Sequence, residues 1–267
     1  MKQMVRHLFL ITFLMATFSA QARLLISPYH VVFDEKTRSE VVTLLNTTTK
    51  TMTYTINFTE MLQTKNGGYT ARADDMNAYI ASPMLRYSPK RVTIPAGGKQ
   101  RVRIHFKPKP DLADGSYRSH LVMKVKPAKT EIVDDQREGI GLKVDVHMSF
   151  SIPVVVNVGE PAAEVAITKA RIVPTKDGKQ AVSVELMRKG VYGSYGSLYV
   201  YAQASPGAPI EVIGEANNIT VFRERNDRTA QVPLFSKVKP GTVIKVVYMG
   251  KDEYEGHTFA EKVFKAG

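Results

Sequence analysis

The sequence contains no cysteine, which excludes disulfide bonds, a thiol nucleophile and thiolate metal ligands. Long hydrophobic runs are also missing: the apolar stretch 8–18 is about a dozen residues, short of the ~20 that a membrane-spanning helix needs, and no later stretch approaches that length. There is no Gly-x-Ser-x-Gly nucleophile elbow and no glycine-rich phosphate loop ending in Lys-Ser or Lys-Thr. We therefore expect no enzyme activity and no bound cofactor.

Metal-ligand spacing is absent as well. His105, His120 and His147 fall on predicted strands, but no His-x-x-x-His or Glu-His pattern accompanies them. We expect no metal site.

The N-terminal residues predict export. Lys2, Arg6 and His7 precede the apolar run, and Ala20-Gln21-Ala22 has the small-x-small form of a signal-peptidase site. We predict a signal peptide over residues 1–22 and a mature N-terminus near Arg23. The mature protein should lie outside the cytoplasm, without insertion into a membrane.

The charge balance is basic. The formal net charge is +12, and it becomes +10 when Lys2 and Arg6 leave with the signal peptide. In an exported protein this excess indicates an acidic protein partner or an anionic surface, or only a solvated basic surface, rather than nucleic acid.

Almost every segment reads as strand, because β-branched or alternating runs are separated by turn residues such as Asn66-Gly67-Gly68 and Pro95-Ala96-Gly97-Gly98. We predict a first series of strands at 31–33, 40–45, 52–58, 91–94, 100–106, 120–125 and 142–156. No helix longer than a few turns is expected. A charged stretch, 126–138, predicts a mobile loop before the last of these strands.

A second series of strands follows the break at Gly159-Glu160-Pro161. It is predicted at 165–172, 181–186, 197–201, 210–213, 219–222, 231–234, 242–248 and 257–264. The 245 residues left after removal of the signal (267 minus 22) suit two ordinary domains, for which we predict the limits 23–158 and 159–267. Two sandwiches joined by a short linker should enclose a cleft.

The strand at 142–156 is the most informative segment. Its alternate residues stand on one face of an extended chain and can line a core or be offered to a partner. These residues are Leu142, Val144, Val146, Met148, Phe150 and Ile152.

The chain resembles the periplasmic pilus-assembly chaperones of the PapD-like family. The resemblance rests on segments 27–33, 87–98 leading into 102–104, 114–121 and 150–153, which span most of the first domain, and weakly on 193–198 in the second. It implies an all-β protein with two immunoglobulin-like sandwiches in a boomerang arrangement. It also implies a function: the last strand of the first domain is lent to an incomplete pilin subunit, which is held until an outer-membrane usher takes it.

The resemblance further implies which residues form the site. Leu142, Val144, Val146, Met148 and Phe150 would fill the groove of the subunit. Family members anchor the subunit's C-terminal carboxylate with an Arg on the first strand and a Lys near the end of the last strand of the first domain, but here those positions fall on His30 and on Met148 or Ser149. The candidate anchors are therefore, as a set, His30, Arg118, Lys143 and His147.

Other functions fit the same residues. The chain could be a structural fimbrial subunit or adhesin, or an envelope module that binds sugar rings through Tyr192, Tyr195, Tyr199 and Tyr201. Tyr199 and Tyr201 share a strand face, however, and this pattern favours half-buried packing. A donor subunit should carry an alternating apolar extension before its first turn, and residues 23–26 are too few for one, which favours the chaperone. The exposed strand also allows self-association.

Overall fold

The structure is a computed structural model that describes residues 24–71, 79–126, 148–203, 207 and 209–267. Strands account for nearly all of its regular structure. The helical segments of the described ranges are two three-residue 3-10 turns, Ser82–Met84 and Asp252–Tyr254. No helix in this part of the chain is long and apolar enough to cross a membrane.

The first eleven strands precede residue 159. They are β1 Leu24–Ser27, β2 Val31–Phe33, β3 Ser39–Asn46, β4 Met52–Thr59, β5 Met61–Gln63, β6 Tyr69–Ala71, β7 Leu85–Ser88, β8 Arg91–Ile94, β9 Lys99–Phe106, β10 Gly115–Val125 and β11 Ser149–Val158. They form one sheet in the order β1-β3-β9-β7, a second in the order β2-β11-β10-β4-β8, and the hairpin β5-β6. The first two sheets make an immunoglobulin-like sandwich.

The sandwich follows from period-two patterning. In β9, Val102, Ile104 and Phe106 are buried while the residues between them are exposed, so one face of the strand meets the core and the other meets water. A single apolar cluster joins the inner faces of both sheets and includes Phe33, Leu44, Tyr54, Leu121 and Ile152. At this size, the sandwich is held without any disulfide by burial of such side chains.

The remaining strands lie beyond residue 163. They are β12 Glu164–Pro174, β13 Gln180–Lys189, β14 Ser194–Gln203, β15 Ile210–Val221, β16 Asp227–Pro233, β17 Val243–Gly250 and β18 Thr258–Lys265. They form the sheets β12-β13-β16 and β15-β14-β17-β18, which pack around a second apolar cluster. No described sheet contains strands from both sides of residue 159.

Two differences from the sequence prediction concern whole elements. The strands predicted at 210–213 and 219–222 form one strand, β15, because its polar middle stays paired with β14 through a register shift. Asn218 takes a left-handed backbone conformation there, with φ of 58°. The strands β1, β5, β6 and β7 were not in the predicted list, although the Asn66-Gly67-Gly68 turn that joins β5 to β6 was recognised.

Strand 142–156 is described only from Met148 onwards. The predicted loop at 126–138 and the first part of this strand lie outside the described residues, apart from Lys126. The described part, β11, is antiparallel to β10 from Ser149 to Val158, so a strand is present over 149–156 as predicted and continues for two more residues.

Candidate functional site

The outer edge of β11 is only partly covered. On one side β11 pairs with β10 along its whole length, but on the other side β2 pairs with residues 154–156 alone. Within the described ranges, no strand pairs with the outer edge of residues 149–153. Main-chain groups on such an edge can accept an added strand.

The side chains of this open segment alternate as predicted. Ile152 is buried and Phe150 is partly buried against the core, whereas Ser149 and Ser151 are exposed. Met148 lies just before β11, and its carbonyl oxygen accepts a hydrogen bond of 3.0 Å from the Val125 amide. Leu142, Lys143, Val144, Val146 and His147 lie outside the described residues, so their roles stay predictions.

His30 lies in the turn between β1 and β2, at the boundary with the second sandwich. Its imidazole is buried, and Nδ1 lies 3.3 Å from Oδ2 of Asp252. The ring centroids of His30 and Tyr195 are 4.0 Å apart. The hydrogen bond with His30 holds the pKa of Asp252 below its usual value. His30 therefore joins the two sandwiches through a carboxylate and an aromatic ring.

Arg118 lies on β10 and also reaches across the boundary. One terminal nitrogen of its guanidinium forms an ion pair with Glu224, whose segment connects β15 to β16, and donates to the Met61 carbonyl at 2.7 Å. Its guanidinium carbon lies 4.2 Å from the ring centroid of Phe222, a cation–π contact. The Nε atom is buried and has no partner among the described residues. Arg118 is thus a buried cation with one donor unused.

His120 shares this environment. Its Nδ1 lies 2.8 Å from a terminal nitrogen of Arg118, and it is fully buried. Burial first, and then the neighbouring Arg118 cation, lower the pKa of His120 to about 3. His120 is therefore a neutral acceptor near neutral pH, and Arg118 is the cation of the pair.

Glu253 is the third acidic residue at this boundary, after Glu224 and Asp252. Burial raises the pKa of Glu253, and one of its carboxylate oxygens has no partner in the described part of the chain. His30, Asp252 and Glu253 offer ligand atoms within 4.8 Å of one another, so they are the described residues that could hold a cation. The hydrogen bond between His30 and Asp252 already accounts for two of them.

The space between these groups is small. His30 and Arg118 line the same cavity together with Tyr195, Glu224 and Glu253, and its volume is about 10 Å³, room for about one water molecule. The structure thus brings two of the four predicted anchors together. Each is already paired with a carboxylate from the second sandwich.

The sequence analysis did not identify Glu224, Asp252 or Glu253 as site residues. Each lies more than 100 positions along the chain from Arg118 or His30, and short acidic segments such as Asp252-Glu253 are common on surfaces. Tyr195 was considered only as a sugar-stacking residue. Its side chain is buried, burial raises its pKa to about 12, and its hydroxyl donates to Asn218 at 2.7 Å.

No protein-family model matches the chain, and no curated protein matches it. Similar solved structures include fimbrial chaperones. The class 5 fimbriae chaperone CfaA is 9% identical with a TM-score of 0.45, and the match covers 91% of this chain and 99% of that one. The Escherichia coli chaperone DraB is 13% identical with a TM-score of 0.42, covering 91% and 95%.

A third match comes from the complex of the Salmonella enterica SafA pilin with the SafB chaperone. It is 11% identical with a TM-score of 0.46, and the match covers 92% of this chain and 98% of that one. Identities and TM-scores this low assign no function, so the proposal for this chain rests on its own residues.

Proposed function

We propose that this chain is a periplasmic chaperone of pilus or fimbrial subunits. In this proposal, residues 142–153 lend a strand to a subunit that lacks one, and an outer-membrane usher then receives the subunit. The limits 23–158 and 159–267 are our proposed domains. The observation that carries the proposal is the uncovered outer edge of residues 149–153 in β11, next to an alternating apolar sequence.

The physical chemistry of this edge supports strand donation. A subunit that lacks one strand exposes an apolar groove and unpaired main-chain groups, which favour aggregation until another strand pairs with them. Burial in that groove would stabilise the complex by about 1.5–3 kcal/mol for each of four side chains, before the costs of ordering are subtracted. These side chains are Leu142, Val144, Val146 and Met148. Phe150 would contribute less, because it already packs against the core of its own sandwich.

We further propose that His30 and Arg118 provide the anchor for the subunit's C-terminal carboxylate, with Lys143 and His147 as the other candidates. The unused Nε donor of Arg118 suits a carboxylate oxygen. Because the cavity holds only about one water molecule, an incoming carboxylate must displace Glu224 from Arg118. Binding of the anchor would then exchange one carboxylate for another.

Strand donation is tested by co-expression of this chain with a candidate pilus subunit from the same genome, followed by pull-down. The Val144→Glu, Val146→Glu variant should lose the subunit, because two charges would enter an apolar groove. The matched control is Val212→Glu, Val263→Glu, which makes the same substitutions at exposed positions of the second sandwich. Strand donation is wrong if both variants retain the subunit equally, or if the wild type retains none.

The anchor has a separate test. Wild-type protein should bind a peptide from the subunit's C-terminus more tightly with a free carboxylate than with a terminal amide, by about tenfold for one buried charge-assisted contact. Arg118→Gln should remove this preference. An unchanged preference in Arg118→Gln would exclude Arg118 as the anchor and leave strand donation intact.

A further inference from the structure

The outer face of the sheet β1-β3-β9-β7 carries charge of one sign. Alternate residues of β9 project from it and all are basic and exposed; they are Lys99, Arg101, Arg103 and His105. Arg86 of β7 is exposed opposite His105 and extends the same row. We call these five residues the basic row. Successive members on β9 are about 7 Å apart, because alternate residues of a strand are separated by two rises.

The other half of this face is uncharged. Outward positions of β3 opposite the basic row are Val41, Thr43 and Leu45, and Leu25 of β1 lies beside Leu45 with 42% of its surface exposed. The remaining outward positions are serines. No outward position of the four strands carries a carboxylate, although the whole chain has 25 acidic residues.

The basic row also lacks internal neutralisation. Among the ion pairs between described residues, none includes a member of the row. Cations on alternate positions of one strand repel each other, and surfaces that serve only solubility usually mix the two signs of charge. A partner with the opposite charge would remove this repulsion.

We propose that the basic row docks an acidic protein segment in extended conformation, whose carboxylates recur at every second residue. Such a segment has the same ~7 Å spacing as the row, so several ion pairs can form in register. The short apolar side chains of β3 then provide a floor next to the ion pairs. No aromatic side chain projects from this face of the sheet, which favours a protein partner over insertion into a lipid surface.

This surface is independent of the proposed strand donation. The basic row belongs to the sheet β1-β3-β9-β7, whereas the open edge of β11 belongs to the opposite sheet. A protein docked on the row would leave the edge of β11 free for another partner.

The test uses two synthetic peptides of the same composition. One alternates glutamate and threonine six times, and the other carries six glutamates followed by six threonines. Affinity for the full mature protein is measured by fluorescence anisotropy at about 0.15 M salt, where exposed charges more than ~8 Å apart are largely screened. The variant is Arg101→Glu, Arg103→Glu, and the control Lys237→Glu, Lys239→Glu makes the same charge change on an exposed loop of the second sandwich.

The expected result is specific to the row. The alternating peptide should bind at least about tenfold more weakly to the row variant and change less than about threefold for the control, because local charge complementarity dominates. It should also bind more tightly than the block peptide. The proposal is overturned if both variants lose the same affinity, which would indicate net charge alone, or if phosphatidylglycerol vesicles bind through the row while the alternating peptide does not. Circular dichroism confirms that the variants are folded.

Discussion

The buried ion pair between Arg118 and Glu224 allows the sharpest prediction about what holds the two sandwiches together. The side chains are only 6% and 12% exposed, so water screens them little. Glu224→Gln keeps the shape of the side chain but leaves the Arg118 cation buried without its carboxylate. We expect the free energy of unfolding to fall by about 3–5 kcal/mol, the usual cost of an uncompensated buried charge.

That loss is a large fraction of the ~5–15 kcal/mol total stability of a typical domain. The assay is urea unfolding of the mature protein, followed by tyrosine fluorescence and circular dichroism. With a slope of about 3 kcal/mol per molar urea, the midpoint should fall by ~1–1.7 M. Because the pair joins β10 to the segment after β15, the two sandwiches of the variant should also unfold less cooperatively.

Two further variants separate this explanation from a general loss of packing. Lys65→Met removes an exposed ion pair with Asp227 across the same boundary, where the two side chains are 58% and 36% exposed, and it should cost less than ~1 kcal/mol. Replacing both buried partners, Arg118→Met with Glu224→Leu, should restore at least ~2 kcal/mol relative to Glu224→Gln, because no unpaired charge remains. A loss below ~1 kcal/mol in Glu224→Gln, or no recovery in the double variant, would refute the reasoning.

Three other predictions concern single residues. The pKa of His120 is about 3 in the folded protein and ~6.5 in the unfolded chain, so only the unfolded state binds a proton there as the pH falls below 6.5. The free energy of unfolding should therefore be about 2 kcal/mol lower at pH 5 than at pH 7. His120→Gln should flatten this pH dependence. A Cβ on Gly196 would lie 2.0 Å from a main-chain oxygen, so Gly196→Ala should lower the free energy of unfolding by at least ~2 kcal/mol in urea titrations. The control is Gly68→Ala, whose Cβ would meet only a side-chain oxygen at 3.3 Å, and it should cost less than ~1 kcal/mol. Asn46 is fully buried and donates to the Lys50 carbonyl of the loop after β3 at 2.8 Å and to the Ile94 carbonyl of the opposite sheet at 2.9 Å. Asn46→Ala should therefore lower the melting temperature by several degrees, a loss of ~1–3 kcal/mol, and an unchanged melting temperature would mean that water satisfies those carbonyls.

The sequence was most informative where a local pattern alone determines the structure, as in a long strand with alternating side chains. The alternation of Val102, Ile104 and Phe106 predicts β9 because side-chain direction in a strand depends only on residue parity. The same rule predicts that Phe150 and Ile152 share one face of their strand, and the structure shows that this face meets the core. Short strands were harder to predict. β5 and β6 have three residues each, and so short a strand has too few alternations to distinguish it from a loop.

The site itself was predicted only in part, because its partners are distant in sequence. Arg118 was a candidate anchor because an adjoining strand could bring it close to the position of His30. Its pairing with Glu224, 106 residues away, depends on how the second sandwich packs on the first, and no local pattern encodes that. The same holds for His30 and Asp252, which are 222 residues apart. Charge and periodicity can identify one half of such a pair, whereas the other half is fixed by tertiary structure.

Under the proposed function, the open edge of β11 has to accept a subunit without pairing with other copies of the same chain, and its sequence favours both. Pro153 has no main-chain N–H, so the uncovered segment offers fewer donors to a second strand. The exposed positions Ser149 and Ser151 add no apolar area that would reward pairing of two identical edges. The net charge, +10 once the predicted signal peptide is removed, further disfavours the approach of a second copy, since the two molecules repel each other at low salt. A subunit supplies an apolar groove and a carboxylate, and a second copy of β11 supplies neither. The edge can therefore select a subunit over a second copy, although its main-chain groups are unpaired.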